Sequence, residues 1–414
     1  MASKENPAAS ADQSATAPAN DGATERPSET PSVPVVGIGA SAGGLEAFKA
    51  LLQALPEDTG MAFLLVQHLA PTRESLLSEI MSRETSLPVQ EAEDGTWIAS
   101  NQIYVAPPDC SLALRDGRLK LTRGSSREHG GSQLSGSQRT ELPIDFMLRS
   151  LADEIGPAAI GVVLSGTASD GTLGLKAIKA AGGMTFAQDE ATAQYFGMPG
   201  NAIASGAVDF VLPPAGIARE LSRIARHPYL LDRSHAQAED DPGASSEEMK
   251  QVFALLRGRT GHDFSYYKHA TIKRRLKRRM LLSKLERFRD YLEYLRSEPQ
   301  EVDALFHDIT INVTGFFREP KTFESLRDYI LPTLLKDRSP NDTLRIWVPG
   351  CSTGEEPYSL AMVLLEALGP QSEIPVQIFG TDIDERAIER ARSGVYSSRI
   401  SSELSQGAPQ SVFP

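Results

Sequence analysis

Between Pro34 and about Arg226, runs of aliphatic and β-branched residues, each about one strand long, alternate with stretches whose apolar residues recur at helical spacing. This alternation restricts the segment to an α/β domain with a mainly parallel sheet, because parallel neighbours need long crossovers and helices supply them. The expected strands are 33–39, 62–67, 102–106, 161–165, 184–188 and 209–212. Between the first two, Leu45, Phe48, Leu51, Leu52 and Leu55 form a helical stripe that should pack on the sheet. The Gly- and Ser-rich stretch 123–140 reads as a mobile surface loop.

A chain of 414 residues with 40% hydrophobic content is long enough for about two or three domains. Residues 1–32 are rich in Ala, Ser, Pro, Glu and Asp and lack the apolar centre of a signal peptide, so a disordered lead-in is expected before a first domain at 33–228. In 233–246 the apolar pattern gives way to Ala, Asp, Gly and Ser, so a linker is expected at 229–246. An all-helical domain is expected at 247–336, with Phe253, Leu255, Leu256, Leu276, Met280, Tyr291, Leu295, Phe323, Leu326 and Ile330 as core positions. From 337 a second α/β region starts, with strands 344–348 and 376–380 around a helix at 357–368.

With only Cys110 and Cys351 there is no disulfide framework, and apolar runs such as 61–66 fall far short of a membrane span. A cytoplasmic protein without membrane insertion is expected. The net charge of −12 argues against general nucleic-acid binding, and no metal site is expected.

Ser41 stands where the first strand turns into the first helix, within Gly39-Ala40-Ser41-Ala42-Gly43. The string fits a G-x-S-x-G elbow, in which glycines let the backbone turn sharply and expose a hydroxyl at the sheet edge. It equally fits a dinucleotide loop through Gly37, Gly39 and Ala42, or a plain N-cap serine. A serine nucleophile needs a base and a carboxylate that orients the base. His68 directly follows the second strand, and Asp170 lies just after strand 161–165. In a parallel sheet the carboxyl ends share one edge, so Ser41, His68 and Asp170 can converge there. Taken singly, the histidine suits a structural role and Asp170-Gly171 suits a turn. A dinucleotide site would want an acidic residue where Gln67-His68 stands.

The ordered strings GIGASAGG, LLVQHLAP, IYVAPPD, GVVLSGTASDGTLGLKAIKAAGG, FAQDEATA and FGMPGNAI, within about 33–224, resemble the chemotaxis-type protein-glutamate methylesterases, CheB. The resemblance implies a doubly wound parallel-sheet domain. It also implies hydrolysis of glutamate γ-methyl esters on receptor helices, often with glutamine deamidation, with Ser41 as nucleophile, His68 as general base and Asp170 as orienting carboxylate. No cofactor is implied for this reaction. Where the family commonly has a methionine near the oxyanion site, this chain has Thr167. Those esterases usually carry an upstream receiver domain. The residues before the first strand are too few to form one, so control by aspartyl phosphate in cis is not expected. A non-catalytic signalling scaffold and a Rossmann oxidoreductase are the competing classes.

Lys268, Lys273, Arg274, Arg275, Lys277, Arg278 and Arg279 crowd one expected helix, as a solvated face or as a docking surface for an acidic receptor. Further on, Trp347 to Tyr358 reads as strand, glycine turn and helix, and Asp382 follows the next strand, where a carboxylate can bind ribose hydroxyls. Asp382 also suits an N-cap, and Glu355 and Glu356 suit the positive end of a helix dipole. The strings INVTGFFREP, WVPGCSTGEEPYSLA and FGTDIDERAIERARSGVY, within about 252–396, resemble the CheR receptor-glutamate methyltransferases. That resemblance implies a Rossmann-like fold, S-adenosylmethionine as cofactor and contacts to it from Asn312, Thr314, Arg318, Glu356 and Asp382. Together the two resemblances suggest a CheB–CheR fusion, a methylated chemoreceptor or similar helical signalling protein as partner, and a histidine-kinase pathway. Two strands after Lys336 are too few to enclose a cofactor, so the methyltransferase region is expected to be incomplete and unable to methylate alone.

Overall fold

A computed structural model describes residues 33–68, 76–123, 142–225, 227–231, 245–310, 314–336, 338–339, 342–369 and 372–396. The expected lead-in, the loop at 124–140, most of the linker, Asn312 and the tail from 397 lie outside the described residues.

The strands are β1 (Val35–Ala40), β2 (Ala62–Gln67), β3 (Val89–Glu91), β4 (Gln102–Val105), β5 (Cys110–Arg115), β6 (Arg118–Arg123), β7 (Ala159–Val163), β8 (Met184–Gln188), β9 (Phe210–Leu212), β10 (Leu344–Pro349) and β11 (Val376–Thr381). The main helices of the first domain are α1 (Gly44–Leu52), α2 (Leu77–Ser82), α3 (Pro143–Ile155), α4 (Thr172–Ala181), α5 (Gly197–Ala204), α6 (Pro214–Ile224) and α7 (Pro228–Leu231). They are followed by α8 (Ser246–Thr260), α9 (His269–Leu282), α10 (Phe288–Ser297), α11 (Pro299–Ile309), α12 (Pro320–Ser325), α13 (Leu331–Leu335), α14 (Glu355–Leu368) and α15 (Glu385–Ser393).

The first domain is built on a parallel sheet in the order β3-β4-β2-β1-β7-β8-β9. Its central strands are apolar along their length because helices cover both faces. Val36 and Ile38 of β1 face Phe48 and Leu51 of α1 and Ile217 and Leu221 of α6. Val35, Leu64 and Val163 face Met147, Leu148 and Leu151 of α3 and Leu175 and Ile178 of α4. The doubly wound parallel-sheet domain expected from the sequence is thus present.

Helix α3 crosses the sheet so closely that the strand beneath it has no room for a side chain. A Cβ on Gly39 would lie 2.2 Å from Cγ2 of Ile144, and one on Gly37 would lie 2.8 Å from Leu148 and Leu151. These glycines set how near the helix comes to the sheet edge.

Two strand elements were missed by the sequence reading. Strand β3 is three residues long at the sheet edge, too short for a period to show. The antiparallel hairpin β5–β6 turns at Asp116-Gly117, both with positive φ, and that pair is the signal that would have found it. Its inner face, Leu112, Leu114 and Leu119, joins the α3 side of the core.

The all-helical segment packs around Val252, Leu256, Phe264, Leu276, Tyr291, Leu295 and Leu305. Helix α8 opens with a capping box between Ser245 and Glu248. Ile330, expected in the core, is instead 50% exposed. Between α12 and α13 the backbone makes a π-type turn at Leu326–Ile330, so the inward position after Leu326 falls on Leu331, which is 2% exposed. Beyond it, β10 and β11 pair in parallel with α14 between them, the start of a Rossmann-like unit.

The basic helix α9 is also placed differently from the solvated or docking face its charge suggested. Arg278 is fully buried and Arg275 is 5% exposed, both against the first domain. Arg279 is paired in its own domain with Glu301, its Nε and Nη2 donating at 2.8 and 2.6 Å. Burial rather than solvation claims these groups because their donors meet carboxylates and main-chain carbonyls.

Gly39→Ala is expected to destabilise the fold by about 1–3 kcal/mol, since the added methyl must displace Ile144 and lift α3. A lowered midpoint of urea unfolding, with an unchanged slope, checks it.

Candidate functional site

The strand order reverses at β1: the chain winds outward through β2 on one side and through β7, β8 and β9 on the other. At such a switch point the crevice beyond the carboxyl ends is open for a ligand. Ser41 follows β1, His68 follows β2, and Asp170 follows β7, so three adjacent strands deliver the three residues to one crevice. Strand register brings the first two together: Ala40 pairs with Gln67, and the His68 N–H donates to the Ala40 carbonyl at 3.1 Å.

Asp170 is 1% exposed and its carboxylate is fully engaged. One oxygen accepts from the Asp145 and Gly171 N–H groups at 2.9 and 2.7 Å, and the other accepts from the Ile144 N–H at 3.0 Å. The second oxygen also meets His68 Nε2 at 2.7 Å. Ile144 and Asp145 lie in the first turn of α3, whose early N–H groups have no helical acceptor, so Asp170 caps that helix from a distant loop. Asp145 repeats the device one step on, accepting from the Gly174 N–H at 2.7 Å in the first turn of α4. Sequence reasoning missed Asp145, because nothing local marks it as the cap of another helix.

With Nε2 committed to Asp170, the nitrogen of His68 available to a serine is Nδ1. Ser41 and His68 are not hydrogen-bonded to one another among the described contacts. Such pairs are often long until a substrate closes them. The turn that carries Ser41 is pinned from β7's exit loop. Ser165 accepts the Ser41 N–H on its carbonyl at 2.9 Å, and its hydroxyl donates to the Ala42 carbonyl at 2.9 Å. Ser165 is itself held by Gln188, whose Oε1 accepts the Ser165 N–H at 2.8 Å. Gly166 lies so close to Ser41 that a Cβ there would be 3.0 Å from the Ser41 Cβ. Next come exposed Thr167 and Ala168, the latter at φ 68° with its carbonyl accepting from Asn201 Nδ2 at 2.7 Å. Ser165, Gln188 and Asn201 are supporting residues the sequence reading did not single out.

In the second half, Asp382 sits at the end of β11 and accepts from the Ser352 N–H at 2.7 Å and the Asp384 N–H at 2.9 Å. It is not the cap of α15; Asp384 is, accepting from Arg386 and Ala387. Gly350, Ser352 and Gly354 all have positive φ, which folds the turn tightly against the strand ends. Glu356 is exposed in the first turn of α14, whereas Glu355 is turned back to Thr353 Oγ1 at 2.6 Å. The segment with Thr314 and Arg318 is tied to the same helix, the Phe317 N–H donating to Ser359 Oγ at 3.0 Å. Tyr396 closes the group, donating to the Thr353 carbonyl at 2.6 Å while its ring meets Phe316 edge-on at 5.1 Å. The segment that carries Thr314 and Arg318 is thus tied to the helix that carries Glu356, Asp382 holds the glycine turn before that helix, and Asn312 lies outside the described residues.

The donors and acceptors here fit a nucleoside cofactor with a cationic centre. Asp382 keeps lone pairs beyond its two main-chain bonds, Glu356 is free of backbone duties, and the buried Ser352 hydroxyl oxygen lacks a partner. Burial, and then the Asp382 carboxylate, push the Cys351 thiol above its ordinary range. Among the described residues no cluster of His, Cys, Asp and Glu could hold a metal, and no helix is long and apolar enough to cross a membrane.

Comparison with known proteins agrees with this division. Residues 36–221 match the CheB methylesterase family, 247–310 the CheR methyltransferase all-alpha domain, and 312–413 the CheR methyltransferase SAM binding domain. An uncharacterized 104.1 kDa protein of Rhodobacter capsulatus is 33% identical over 79% of this chain and 35% of its own length. A protein-glutamate methylesterase/protein-glutamine glutaminase of Rhizobium meliloti is 35% identical over 46% of this chain and 52% of its own. The crystal structure of the Thermotoga maritima CheB methylesterase catalytic domain is 30% identical, covers 46% of this chain and 98% of that one, and has a TM-score of 0.41. The chain spans between 35% and 52% of the length of these curated relatives.

Asp170→Ala is expected to destabilise the first domain by about 3 kcal/mol or more, because three buried N–H groups lose their acceptor together. Urea unfolding of the variant, compared with wild type, measures it. Family match and sheet topology agree that the chain joins a CheB methylesterase domain to a CheR-like all-α and SAM-binding region, the architecture of the CheB–CheR fusions.

Proposed function

We propose that the first domain hydrolyses γ-methyl esters of glutamate on a chemoreceptor-like helical protein, with Ser41 as nucleophile, His68 as base and Asp170 as the group that orients the imidazole. The observation that carries this reading is the delivery of the three residues by adjacent strands to one switch-point crevice, with His68 Nε2 held 2.7 Å from a buried carboxylate. In the reaction, Nδ1 of His68 takes the Ser41 proton as Oγ adds to the ester carbonyl. The Thr167 backbone N–H, next to Gly166 against the serine, donates to the oxyanion. Collapse expels methoxide, which leaves as methanol with the imidazolium proton. Water, deprotonated by the same imidazole, then cleaves the acyl-serine and returns free glutamate. Glutamine side chains would follow the same course with ammonia as leaving group, in line with the paired activities in the name of the Rhizobium meliloti relative.

Ser41→Ala is expected to reduce methanol release from a methylated receptor by about 10⁴-fold or more with the fold intact. Undiminished release would sink the serine mechanism, and absence of release from the wild-type chain would favour a scaffold. Saturable NAD binding would revive the oxidoreductase, which Gln67-His68 at the ribose position argues against.

For the second half, we propose that Asp382 binds the ribose hydroxyls of S-adenosylmethionine, that Glu356 faces its cationic end, and that Thr314, Arg318 and Asn312 complete the contacts. The cofactor, when bound, supplies an electrophilic methyl group, and this chain's residues orient it and hold its charge. The setting of this reading is a cytoplasmic signalling pathway that tunes receptors through methylation. Asp382→Asn keeps the size and one acceptor oxygen but loses the charge, and is expected to weaken S-adenosylhomocysteine binding about tenfold or more. Calorimetric titration of both forms decides it, and equal affinities would remove Asp382 from the site.

A further inference from the structure

Helix α9 is the most basic element of the chain, yet its central arginines point into protein. Arg278 is 0% exposed. Its Nε donates to the Gly183 carbonyl at 3.1 Å, its Nη1 to Asp308 Oδ2 at 2.6 Å, and its Nη2 to Asp209 Oδ2. Gly183 and Asp209 belong to the methylesterase domain, and Asp308 to α11 of the helical domain. One guanidinium therefore bridges two domains. Asp209 is also met by Lys179 Nζ at 3.2 Å and by the Thr185 hydroxyl at 2.8 Å, so each carboxylate that meets Arg278 has at least one cation beside it.

Two further arginines cross the same boundary. Arg275 donates to the Lys179 and Ala180 carbonyls at 3.1 and 2.5 Å, at the C-terminal end of α4, where a helix presents unpaired acceptors and partial negative charge. In the opposite direction, Arg223 of α6 donates to the Leu281 carbonyl at the end of α9 at 3.1 Å. Leu281 is buried in the methylesterase core beside Leu221 and Ile224.

We propose that helix α9 is an interdomain lock, with Arg278 as its key, which makes the methylesterase and helical domains one cooperative unit and commits the basic helix to this chain's own socket. Buried ion pairs contribute little net stability, but they penalise every pose that leaves a charge unpaired. Here one pose satisfies both carboxylates, and sliding or rotating α9 strands at least one of them. The socket lies at the amino ends of β8 and β9, at the opposite edge of the sheet from Ser41, His68 and Asp170. The lock therefore fixes the helical domain without covering the crevice, and it withholds Arg275 and Arg278 from any acidic partner.

Native-state hydrogen exchange of the whole chain in sub-denaturing urea tests this. In the wild-type chain, the most protected amides of β8 and β9 and those of α9 and α11 are expected to open with one free energy and one urea dependence. Arg278→Met leaves the buried Asp308 carboxylate without its cation and Asp209 with Lys179 alone, and is expected to speed exchange in α9 and α11 by about a hundredfold or more, with ester hydrolysis retained. Separate opening energies in the wild type, or unchanged exchange in the variant, would overturn the lock. Should Arg278→Met fail to fold, the wild-type series alone decides between one unit and two.

Discussion

A buried carboxylate is stable as an anion only where donors replace the water it has lost, and Asp170 gathers those donors from three directions. The first turn of α3 supplies two N–H groups, its own loop supplies a third, and His68 closes the set. The same four bonds position the start of α3, the exit loop of β7 and the imidazole relative to one another. Stability and candidate chemistry in this domain thus rest on one group. Asp145 extends the arrangement by capping α4, so the helices on one sheet face are referenced to the loop that ends at the site.

The domain boundary follows the same physics with the signs exchanged. Buried guanidinium groups need acceptors, and α9 finds them in the exposed carbonyls at the end of α4 and in the carboxylates of Asp209 and Asp308. Burial alone would raise the Asp209 pKa, but the charges of Arg278 and Lys179 outweigh it and hold the carboxyl below its usual range. A basic helix on an acidic protein invites an external partner in any composition-based reading. Here the protein is much of its own partner.

Much of the first site was legible because each of its residues stands at a strand end, and strand ends can be read from short apolar runs. Ser41, His68 and Asp170 could be placed on one edge once the sheet was taken as parallel. The residues that hold them could not. Ser165 and Gln188 look like ordinary strand residues, and Asn201 sits in an unremarkable helix, until the crossovers bring them against the nucleophile turn. In the second half, Asp382 and Glu356 are candidates read from their motif, whereas Tyr396 and Ser359 emerge only as the clasps that join the 314–318 segment to the glycine turn.

By itself the sequence determined the alternation that makes a parallel sheet, the glycines that let the backbone turn sharply at Ser41, and the residue types at the strand ends. Those features are local: they depend on period, side-chain size and backbone freedom within a few residues. Only the tertiary structure decided that Leu331 rather than Ile330 turns inward, that the Asp116-Gly117 hairpin joins the α3 core, and that Arg275 and Arg278 are buried. Each of these depends on which distant group is available to satisfy a donor, accept a charge or fill a gap. Such pairings are settled by packing the whole chain, because the energy of a buried charge depends on its partner.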